Sequence, residues 1–219
     1  MGKTAVIIGN GEFPKKEYPR YVISRADYIV CCDGALAKYL RNSEKIFGCM
    51  REPDAVVGDL DSLGAGLKRK YGHLIVHETE QETNDQTKAM RHIMSNVPDV
   101  SDIFITGATG LREDHTIGNI SLLMEYTRTF DLGGINLTMV SDHSVIFPVT
   151  DSIELDCGTG RKVSILTPDN SLRIKSEGLE WPTDDVVFDN WWKATLNRAS
   201  EDKIKLEFSH KSLAIIIMN

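Results

Sequence analysis

One short segment, residues 56–62 (VVGDLDS), places two carboxylates directly after an apolar run and a glycine. Asp59 and Asp61 stand two positions apart, so at a strand end they can converge on one hard cation such as Mg2+, which accepts a few protein oxygens and keeps water ligands. The alternative is a turn in which both aspartates only cap backbone amides. The segment alone leaves both interpretations open.

A second polar segment, residues 81–88 (QETNDQTK), lies just before a helical pattern of apolar residues. Asp85 or Asn84 at the start of that helix would cap free amides, which accounts for Asp85 without any catalytic role. Capping does not require Lys88, however. One turn into the helix, Lys88 would lie near Asp85, where it could contact a phosphate bound to the same metal.

A third segment, residues 103–119, runs from an apolar strand through a glycine-rich turn to Arg112 and then into a helix. Such a turn lets backbone amides approach phosphate oxygens. The early part of the helix carries Asp114, His115 and Asn119. The segment matches neither the P-loop nor the dinucleotide-binding pattern. For His115, the alternative is a histidine that only hydrogen-bonds its surroundings.

A fourth strand end carries Asp33 followed by Gly34, which taken alone predicts a capped turn. In a parallel sheet, right-handed crossovers bring the carboxyl ends of the strands to one edge, so the acidic segments would share a crevice. Close carboxylates repel unless a cation or a proton lies between them. A metal-bound polyphosphate is therefore the ligand that these segments favour together.

The elements that would position these segments are predicted from hydrophobic periodicity. In residues 1–145, apolar strands alternate with helical stretches, which predicts a largely parallel α/β domain; the strands are Thr4–Ile8, Tyr28–Cys32, Ala55–Val57, His73–His77, Asp102–Thr106 and Leu137–Val140. Met90, Ile93, Met94 and Val97 mark the apolar face of one helix, and Ile117, Ile120, Leu123 and Met124 that of a second.

From residue 146 to 219 the helical period fades and short strands predict a small all-β domain. The predicted strands are Ser152–Leu155, Lys162–Leu166, Leu172–Ser176, Thr195–Ala199, Lys203–Phe208 and Leu213–Met218. Residues 200–202 would form a hairpin turn before Lys203–Phe208. The domain is small for a stable core, and the last strand is apolar on both faces, so we expect it to pack on the first domain or on a second subunit.

Composition excludes several classes of function. The 219 residues carry a net charge of −7, which gives no electrostatic basis for binding nucleic acid. No run approaches the roughly 18 to 20 apolar residues of a membrane span, and the first nine residues predict a strand rather than a targeting signal. The four cysteines follow no metal or disulfide spacing, which predicts reduced, buried or half-buried thiols and a cytoplasmic location.

In their order, the four motifs resemble those of thiamine pyrophosphokinases. That family carries Asp-Gly after the second strand, then Gly-Asp-x-Asp-Ser, Gln-Asp-x-Thr-Asp-x-x-Lys and Gly-x-Arg-x-Asp-His-x-x-x-Asn. The corresponding residues here are 33–34, 58–62, 81–88 and 110–119. The resemblance extends over both predicted domains, because the family joins an α/β nucleotide domain to a small β-sandwich.

The resemblance implies a cytoplasmic, Mg2+-dependent homodimer that transfers a pyrophosphoryl group from ATP to the hydroxyl of thiamine and releases AMP. It implies Asp59, Asp61 and Asp85 as metal-binding and catalytic residues. The nucleotide contacts that it implies are Asp33, Ser62, Gln81, Lys88, Arg112, Asp114, His115 and Asn119. The alternatives are a nucleotide-binding sensor without turnover and a transferase that uses another heterocyclic alcohol.

Two of the departures from the family pattern matter for the site. Asn84 replaces the usual threonine and keeps a polar cap. Leu196 replaces the serine of a Ser-Asn pair near the family's thiamine site at the dimer interface, while Asn197 is retained. Asn197 is therefore a predicted thiamine contact, and Trp191 and Trp192 could stack on a flat heteroaromatic ring. The alternative for the two tryptophans is that they fill the core.

Overall fold

The computed structural model describes residues 2–219, which divide into two compact units. The first comprises the described residues up to Leu122 together with Thr129–Asp142, and the second comprises Leu123–Arg128 together with His143–Asn219.

The first unit contains a parallel sheet whose strands run in the order β6-β5-β1-β2-β3-β4. These strands are β1 (Lys3–Ile8), β2 (Tyr28–Cys32), β3 (Ala55–Gly58), β4 (Ile75–His77), β5 (Val100–Thr106) and β6 (Asn136–Val140). The chain adds β2 to β4 on one side of β1 and β5 to β6 on the other. Strand order therefore reverses between β1 and β5, which is where open α/β sheets form their ligand crevice.

The helices that connect these strands are α1 (Glu17–Ser24), α2 (Ala35–Phe47), α3 (Ala65–Lys70), α4 (Asp85–Asn96) and α5 (Glu113–Thr129), with a 3-10 turn at Gly72–Leu74. As predicted, α4 buries Met90 and Ile93, and Asn84 caps it by accepting a hydrogen bond from the backbone amide of Thr87. The prediction for Ile117 is wrong, because its side chain is 55% exposed. The first turns of α5 border a cavity rather than the core.

The central strands of the first unit are buried on both faces, as parallel strands covered by helices require. Residues 5–8 of β1 are fully buried, and so is Cys31; Cys32 is 3% exposed. All four cysteines are free thiols, as predicted. Cys49 is exposed, however, contrary to the prediction, because it follows Gly48, where α2 ends in a left-handed turn.

The second unit is a sandwich of two antiparallel sheets. Its strands are β7 (Val145–Val149), β8 (Ile153–Asp156), β9 (Lys162–Leu166), β10 (Ile174–Glu177), β11 (Asn197–Arg198), β12 (Lys203–Phe208) and β13 (Ala214–Met218). One sheet has the order β11-β9-β13-β7 and the other β10-β12-β8. Ile165 and Ile216 of the first sheet share a core with Ile204 and Leu206 of the second. The predicted architecture, α/β followed by all-β, is confirmed.

Several local predictions in the second unit are wrong. The hairpin before β12 does not form, because β11 pairs with β9 and the chain then crosses to the other sheet. The short β11 covers two residues instead of five, and β7 was not predicted. In β13, residues 214–216 are fully buried within the single chain, between β7 and β9. That strand therefore gives no reason to expect a second subunit.

Candidate active site

A cluster of carboxylates lies where β2 and β3 end. Each of Asp33, Asp59 and Asp61 offers a carboxylate oxygen within 4.8 Å of those of the others. The loop after β3 builds the cluster from its own backbone: the amide of Asp61 donates to Asp59 Oδ1 at 3.1 Å, and the amide of Ser62 donates to Asp33 Oδ2 at 3.0 Å. Leu60, between the aspartates, has φ +71°. This left-handed residue turns the loop back so that the carboxylates meet.

Side chains from this loop and from the segment after β4 complete the cluster. Ser62 Oγ donates to Asp61 Oδ1 at 2.8 Å, and Gln81 Nε2 donates to Asp59 Oδ2 at 2.8 Å. Hydrogen bonds thus join residues from two of the predicted motifs into one group, which comprises Asp59, Asp61, Ser62 and Gln81. Each carboxylate retains lone pairs for a further ligand.

Gly58 is the point at which the second acidic segment approaches the cluster. A Cβ atom at Gly58 would lie 2.8 Å from Asp33 Cβ and 3.1 Å from Asp85 Oδ1, so the close approach of these side chains requires glycine. Lys88 Nζ lies 3.6 Å from Asp85 Oδ1, and its side chain is 2% exposed. The structure therefore places Asp85 beside Asp33 and places Lys88 beside Asp85.

Burial and neighbouring carboxylates disfavour the charged forms of Asp33 and Asp85. Burial raises the pKa of Asp33, and the charges of Asp61 and Asp59 add to that shift. Burial also raises the pKa of Asp85, against the opposing effect of Lys88. Hydrogen bonds from Gln81 and the amide of Asp61 lower the pKa of Asp59 instead. A cation at this position would relieve the repulsion among these groups.

The donor set fits a divalent metal ion that prefers oxygen ligands. Asp33 is fully buried, yet its Oδ1 atom has no hydrogen-bond partner among the described residues. A buried carboxylate oxygen without a partner is costly unless a ligand compensates it. Oxygen ligands from several carboxylates, with none from sulfur, suit Mg2+ rather than zinc.

A cavity of about 270 Å3 opens where strand order reverses, between the loops that follow β1 and β5. Its lining combines the glycine-rich turn with the start of α5: Asn10, Gly11, Ala108, Thr109, Leu111, Arg112, His115, Thr116 and Asn119. Three of the predicted nucleotide contacts, Arg112, His115 and Asn119, thus face one space. Asp114 is not among the lining residues.

Asp114 and Arg112 form an exposed ion pair, with Nε donating to Oδ1 at 3.0 Å. This pairing lowers the pKa of Asp114 to about 2. The amide of His115 also donates to Asp114 Oδ1, at 2.9 Å. Asp114 therefore orients two residues of the cavity wall.

Asn119 ties the glycine-rich turn to the second acidic segment. Its Nδ2 donates to the carbonyl of Ala108 at 2.7 Å, and its Oδ1 accepts from Asn84 Nδ2 at 3.1 Å. Asn84, the residue that departs from the family pattern, thus caps α4 and contacts Asn119 with the same side chain.

Two residues near this cavity, Asn10 and Lys38, were not predicted from the sequence. Asn10 follows β1 at the point where strand order reverses, and Lys38 donates to the backbone carbonyls of Asn10 and Gly11. The signal available in the sequence was the Asn-Gly pair after the first strand, which marks a turn at the expected crevice.

The second unit has a cavity of its own, of about 250 Å3. It is lined by Trp181, Pro182, Thr183, Val186, Lys193, Ala194, Thr195, Leu196 and Asn197. Trp191 and Trp192 are not among the lining residues, whereas Trp181, which the sequence analysis missed, is. The three tryptophans are 53%, 41% and 65% exposed in the order 181, 191 and 192, so the core-filling alternative is wrong.

Asn197 and Leu196 occupy this cavity wall in contrasting ways. The Asn197 amide is buried and holds the backbone of Trp181, accepting from its N–H at 3.2 Å and donating to its carbonyl at 2.6 Å. Leu196 is 79% exposed and has φ +62°, a left-handed conformation that is costly for a leucine. Asn197 thus shapes the wall, while Leu196 presents an apolar side chain at the cavity.

Comparison with known proteins gives a consistent result for both units. The family model described as the thiamin pyrophosphokinase catalytic domain matches residues 19–132, and the model of its substrate-binding domain matches residues 145–214. Thiamine pyrophosphokinase 1 of Oryza sativa subsp. japonica is 30% identical over 169 residues, which cover 69% of this chain and 61% of that protein. Thiamine pyrophosphokinase 3 of the same plant is 27% identical over 83% of this chain and 73% of its own length.

Solved structures support the fold at lower identity. The thiamine pyrophosphokinase of Bacillus subtilis superposes with a TM-score of 0.77 at 18% identity and covers 99% of both chains. The thiamin pyrophosphokinase of Candida albicans gives 0.76 at 18% identity, with 99% of this chain and 88% of that one covered. No helix among residues 2–219 is both long and apolar enough to cross a membrane. With its two domains matched in order, the chain belongs to the thiamin pyrophosphokinase family.

Proposed function

We propose that the protein transfers a pyrophosphoryl group from ATP to the hydroxyl of thiamine, giving thiamine diphosphate and AMP. The observation that carries the proposal is the carboxylate cluster of Asp33, Asp59 and Asp61, with its buried unpartnered oxygen. The matched family models support the same reaction. On this assignment residues 1–145 form the ATP-binding domain and residues 146–219 the thiamine-binding and dimerisation domain.

Mg2+ is the proposed metal, held by Asp59, Asp61 and Asp85. The unpartnered Oδ1 of Asp33 is available to the same ion, because Asp33 lies within the cluster and shares the Gly58 contact with Asp85. When bound, the ion would neutralise phosphate charge and help to orient the transferred group. Since Mg2+ usually takes one or two carboxylates and completes its shell with phosphates and water, carboxylates that do not bind it directly act through their charge.

Residues from both acidic and glycine-rich segments are the proposed nucleotide contacts. Lys88 and Arg112 supply positive charge toward the polyphosphate, and Gln81 and Ser62 orient carboxylates of the cluster, with the second N–H of the Gln81 amide left to donate to a phosphate. Asp33, Asp114, His115 and Asn119 complete the set, with His115 and Asn119 in the cavity wall. Arg112 must loosen its pairing with Asp114 in order to reach a phosphate.

The proposed reaction breaks the bond between the α-β bridging oxygen and the β-phosphorus of ATP, and it joins that phosphorus to the thiamine oxygen. The hydroxyl proton leaves with solvent or a cluster carboxylate, and AMP departs with the bridging oxygen. Such transfers depend mainly on positioning and charge stabilisation rather than on covalent help from the protein. The buried side chain of Lys88 and the carboxylate cluster suit that requirement.

The cavity of the second unit is the proposed site for the thiamine ring system. Exposed tryptophans favour a flat cationic heterocycle through stacking and cation-π attraction. Within this cavity we propose Trp181 as the ring that stacks on thiamine and Asn197 as the residue that holds the backbone of Trp181. Trp191 and Trp192 do not line the cavity, so the thiamine contact proposed for them stays a prediction. Leu196 at the cavity favours a second candidate, the transfer of the same group to another heterocyclic alcohol with an apolar substituent.

A homodimer is proposed from the exposed aromatic surface of the second unit. Trp181, Trp192 and Leu196 are each more than half exposed, and Trp181 and Leu196 border the same cavity, so a partner that covers this surface would remove apolar side chains from water. Sedimentation should show about twice the chain mass of 24.5 kDa at micromolar concentration. A fully active monomer would contradict the dimer. The cytoplasmic location remains a prediction from the cysteine pattern.

The proposed function is tested by incubating the purified protein with ATP, Mg2+ and a panel of vitamin-like alcohols and identifying products by mass spectrometry. Thiamine should be the substrate with the highest rate, and it should gain both phosphates. Preference for a different heterocyclic alcohol would select the second candidate. ATP binding without any acceptor-dependent consumption of ATP would instead identify a nucleotide-binding sensor.

A further inference from the structure

A lysine beside the nucleotide cavity donates its hydrogen bonds to backbone carbonyls rather than to a carboxylate. Lys38 on α2 donates from Nζ to the carbonyl of Asn10 at 2.6 Å and to that of Gly11 at 2.8 Å. Among the described residues, no carboxylate lies within ion-pair distance of it, although the protein has an excess of acidic groups. Its partial burial lowers the pKa of the ammonium. The ammonium group of Lys38 therefore holds two consecutive peptide groups of the loop that follows β1.

The loop that Lys38 holds is joined to the glycine-rich turn on the other side of the cavity. The amide of Gly11 donates to the carbonyl of Gly107 at 2.5 Å, and the amide of Glu12 donates to that of Thr109 at 2.8 Å. A Cβ atom at Gly11 would lie 2.6 Å from two of these carbonyl oxygens, so the approach requires glycine. Lys38 therefore fixes both walls of the cavity through a single loop.

The side chain that this loop presents is the amide of Asn10. It lines the cavity, it is exposed, and its side chain forms no hydrogen bond with another described residue. Asn10 also lies next to the carboxylate cluster: a Cβ atom at Gly34 would be 3.0 Å from Asn10 Cγ and 3.2 Å from Ser62 Cβ. Asn10 thus stands between the cavity and the loop that carries Asp59 and Asp61.

We propose that Asn10 contacts the α-phosphate of the bound nucleotide and that Lys38 is the positioning residue that holds Asn10 there. This inference rests on the proposed function, which holds the transferred phosphates at the carboxylate cluster; to that we add that the nucleoside lies in the cavity that Asn10 lines. The group that joins those two parts of the ligand is the α-phosphate. The amide of Asn10 offers an uncharged donor at that junction, where another carboxylate would repel the ligand.

The test measures AMP binding by titration calorimetry without Mg2+, so that neither turnover nor the metal enters the result. Asn10→Ala should weaken AMP binding about tenfold or more, the size expected for one hydrogen bond to a charged group. Adenosine binding should change less than about twofold, because the nucleoside contacts are intact. Asn10→Asp should weaken AMP binding further than Asn10→Ala, because it adds a negative charge.

Lys38→Met should weaken AMP binding several-fold, whereas Lys38→Arg, which can still donate to both carbonyls, should largely retain it. The matched control is Arg41→Met, one turn further along α2, where the guanidinium bonds only the carbonyl of Ala37 in its own helix. That variant should bind AMP normally. Circular dichroism and thermal unfolding identify any variant that fails to fold.

A double-mutant cycle separates positioning by Lys38 from direct contact with phosphate. If Lys38 acts through Asn10, Lys38→Met should cost less than about twofold when Asn10 is already alanine. Full additivity would overturn the positioning role, and unchanged AMP binding in folded Asn10→Ala would overturn the whole inference. If the unaltered protein binds neither AMP nor ATP, the proposed function fails rather than this inference alone.

Discussion

Two aspartates, one in each unit, differ in how their carboxylate oxygens are used. Asp33 in the first unit accepts one hydrogen bond, from the amide of Ser62, and its other oxygen has no partner among the described residues. Asp169 in the second unit accepts from the amide and the hydroxyl of Ser171 at 2.9 and 2.6 Å and from Ser212 Oγ at 2.7 Å.

The electrostatic consequences are opposite. Burial raises the pKa of Asp33, whereas the hydrogen bonds from Ser171, Ser212 and His210 push that of Asp169 far below its usual range. A carboxylate whose lone pairs are used by its own fold stabilises that fold. A buried carboxylate with an oxygen that lacks a hydrogen-bond partner lowers the stability of the fold, and such a group is typical of a ligand site. The comparison distinguishes structural from functional acids where their type and spacing do not.

The largest expected effect is on the acidic cluster itself. Asp59→Asn and Asp61→Asn should each lower turnover by roughly three orders of magnitude, because each removes charge that compensates the bound phosphates. Circular dichroism should show an intact fold, since neither side chain contributes to the hydrophobic core. Glu201→Gln, in an exposed turn of the second unit, is the matched control and should keep normal activity. Near-normal activity of either aspartate variant at saturating Mg2+ would remove the cluster from the reaction.

Substitution of Asp33 should lower turnover but not stability, whereas substitution of Asp169 should lower stability but not turnover. Asp33→Asn should lower turnover by about a hundredfold without lowering the free energy of unfolding, because it removes a buried charge that Asp59 and Asp61 repel. Asp169→Asn should lower that free energy by about 1 to 3 kcal/mol, since an amide NH2 cannot accept the lost hydrogen bonds. Its turnover should stay normal. Kinetic assays and urea unfolding of both variants test this contrast, and a parallel loss of stability and activity in both would contradict it.

The free energy of unfolding should depend on pH in opposite directions for Asp33 and Asp169. The depressed pKa of Asp169 gives stability that is complete above the unfolded value near 3.9 and is lost as the pH falls through the folded value. The raised pKa of Asp33 imposes a cost at neutral pH that disappears in acid, where both states are protonated. Unfolding curves from pH 7 to 2 should therefore show both mutant differences shrinking: that of Asp33→Asn, which starts above the unaltered protein, by about pH 4, and that of Asp169→Asn, which starts below it, only under about pH 4. A difference that stays constant over this range would exclude titration as its origin.

The smallest expected effect concerns the residue that replaces the family's threonine. Asn84→Ala should lower the free energy of unfolding by about 1 kcal/mol, because it removes the side-chain cap of α4. Asn84→Thr should restore most of that loss, since a threonine hydroxyl also caps a helix. Chemical denaturation of the three proteins checks this order. A threonine variant no more stable than alanine would assign the effect to the contact with Asn119 instead.

Much of the first unit was predictable because its signals are local. Apolar strands followed by glycine and aspartate gave both the parallel sheet and the edge at which Asp33, Asp59 and Asp61 meet. Asn10 was missed because its importance depends on strand order, which brings the loop after β1 beside the turn after β5. In the second unit the pairing of β11 with β9 is non-local, so the predicted hairpin was wrong. Trp181 was missed because its place in a cavity wall depends on the buried amide of Asn197.

Product analysis decides which phosphorus of ATP is attacked. With thiamine, ATP and Mg2+, AMP and thiamine diphosphate should appear in equal amounts with no free thiamine monophosphate, because the whole pyrophosphoryl group moves in one step. Asp85→Ala should abolish both products together, since it removes a carboxylate that lies beside Asp33 and Lys88. Accumulation of ADP and thiamine monophosphate before the diphosphate would contradict the account, because it would show attack on the γ-phosphorus.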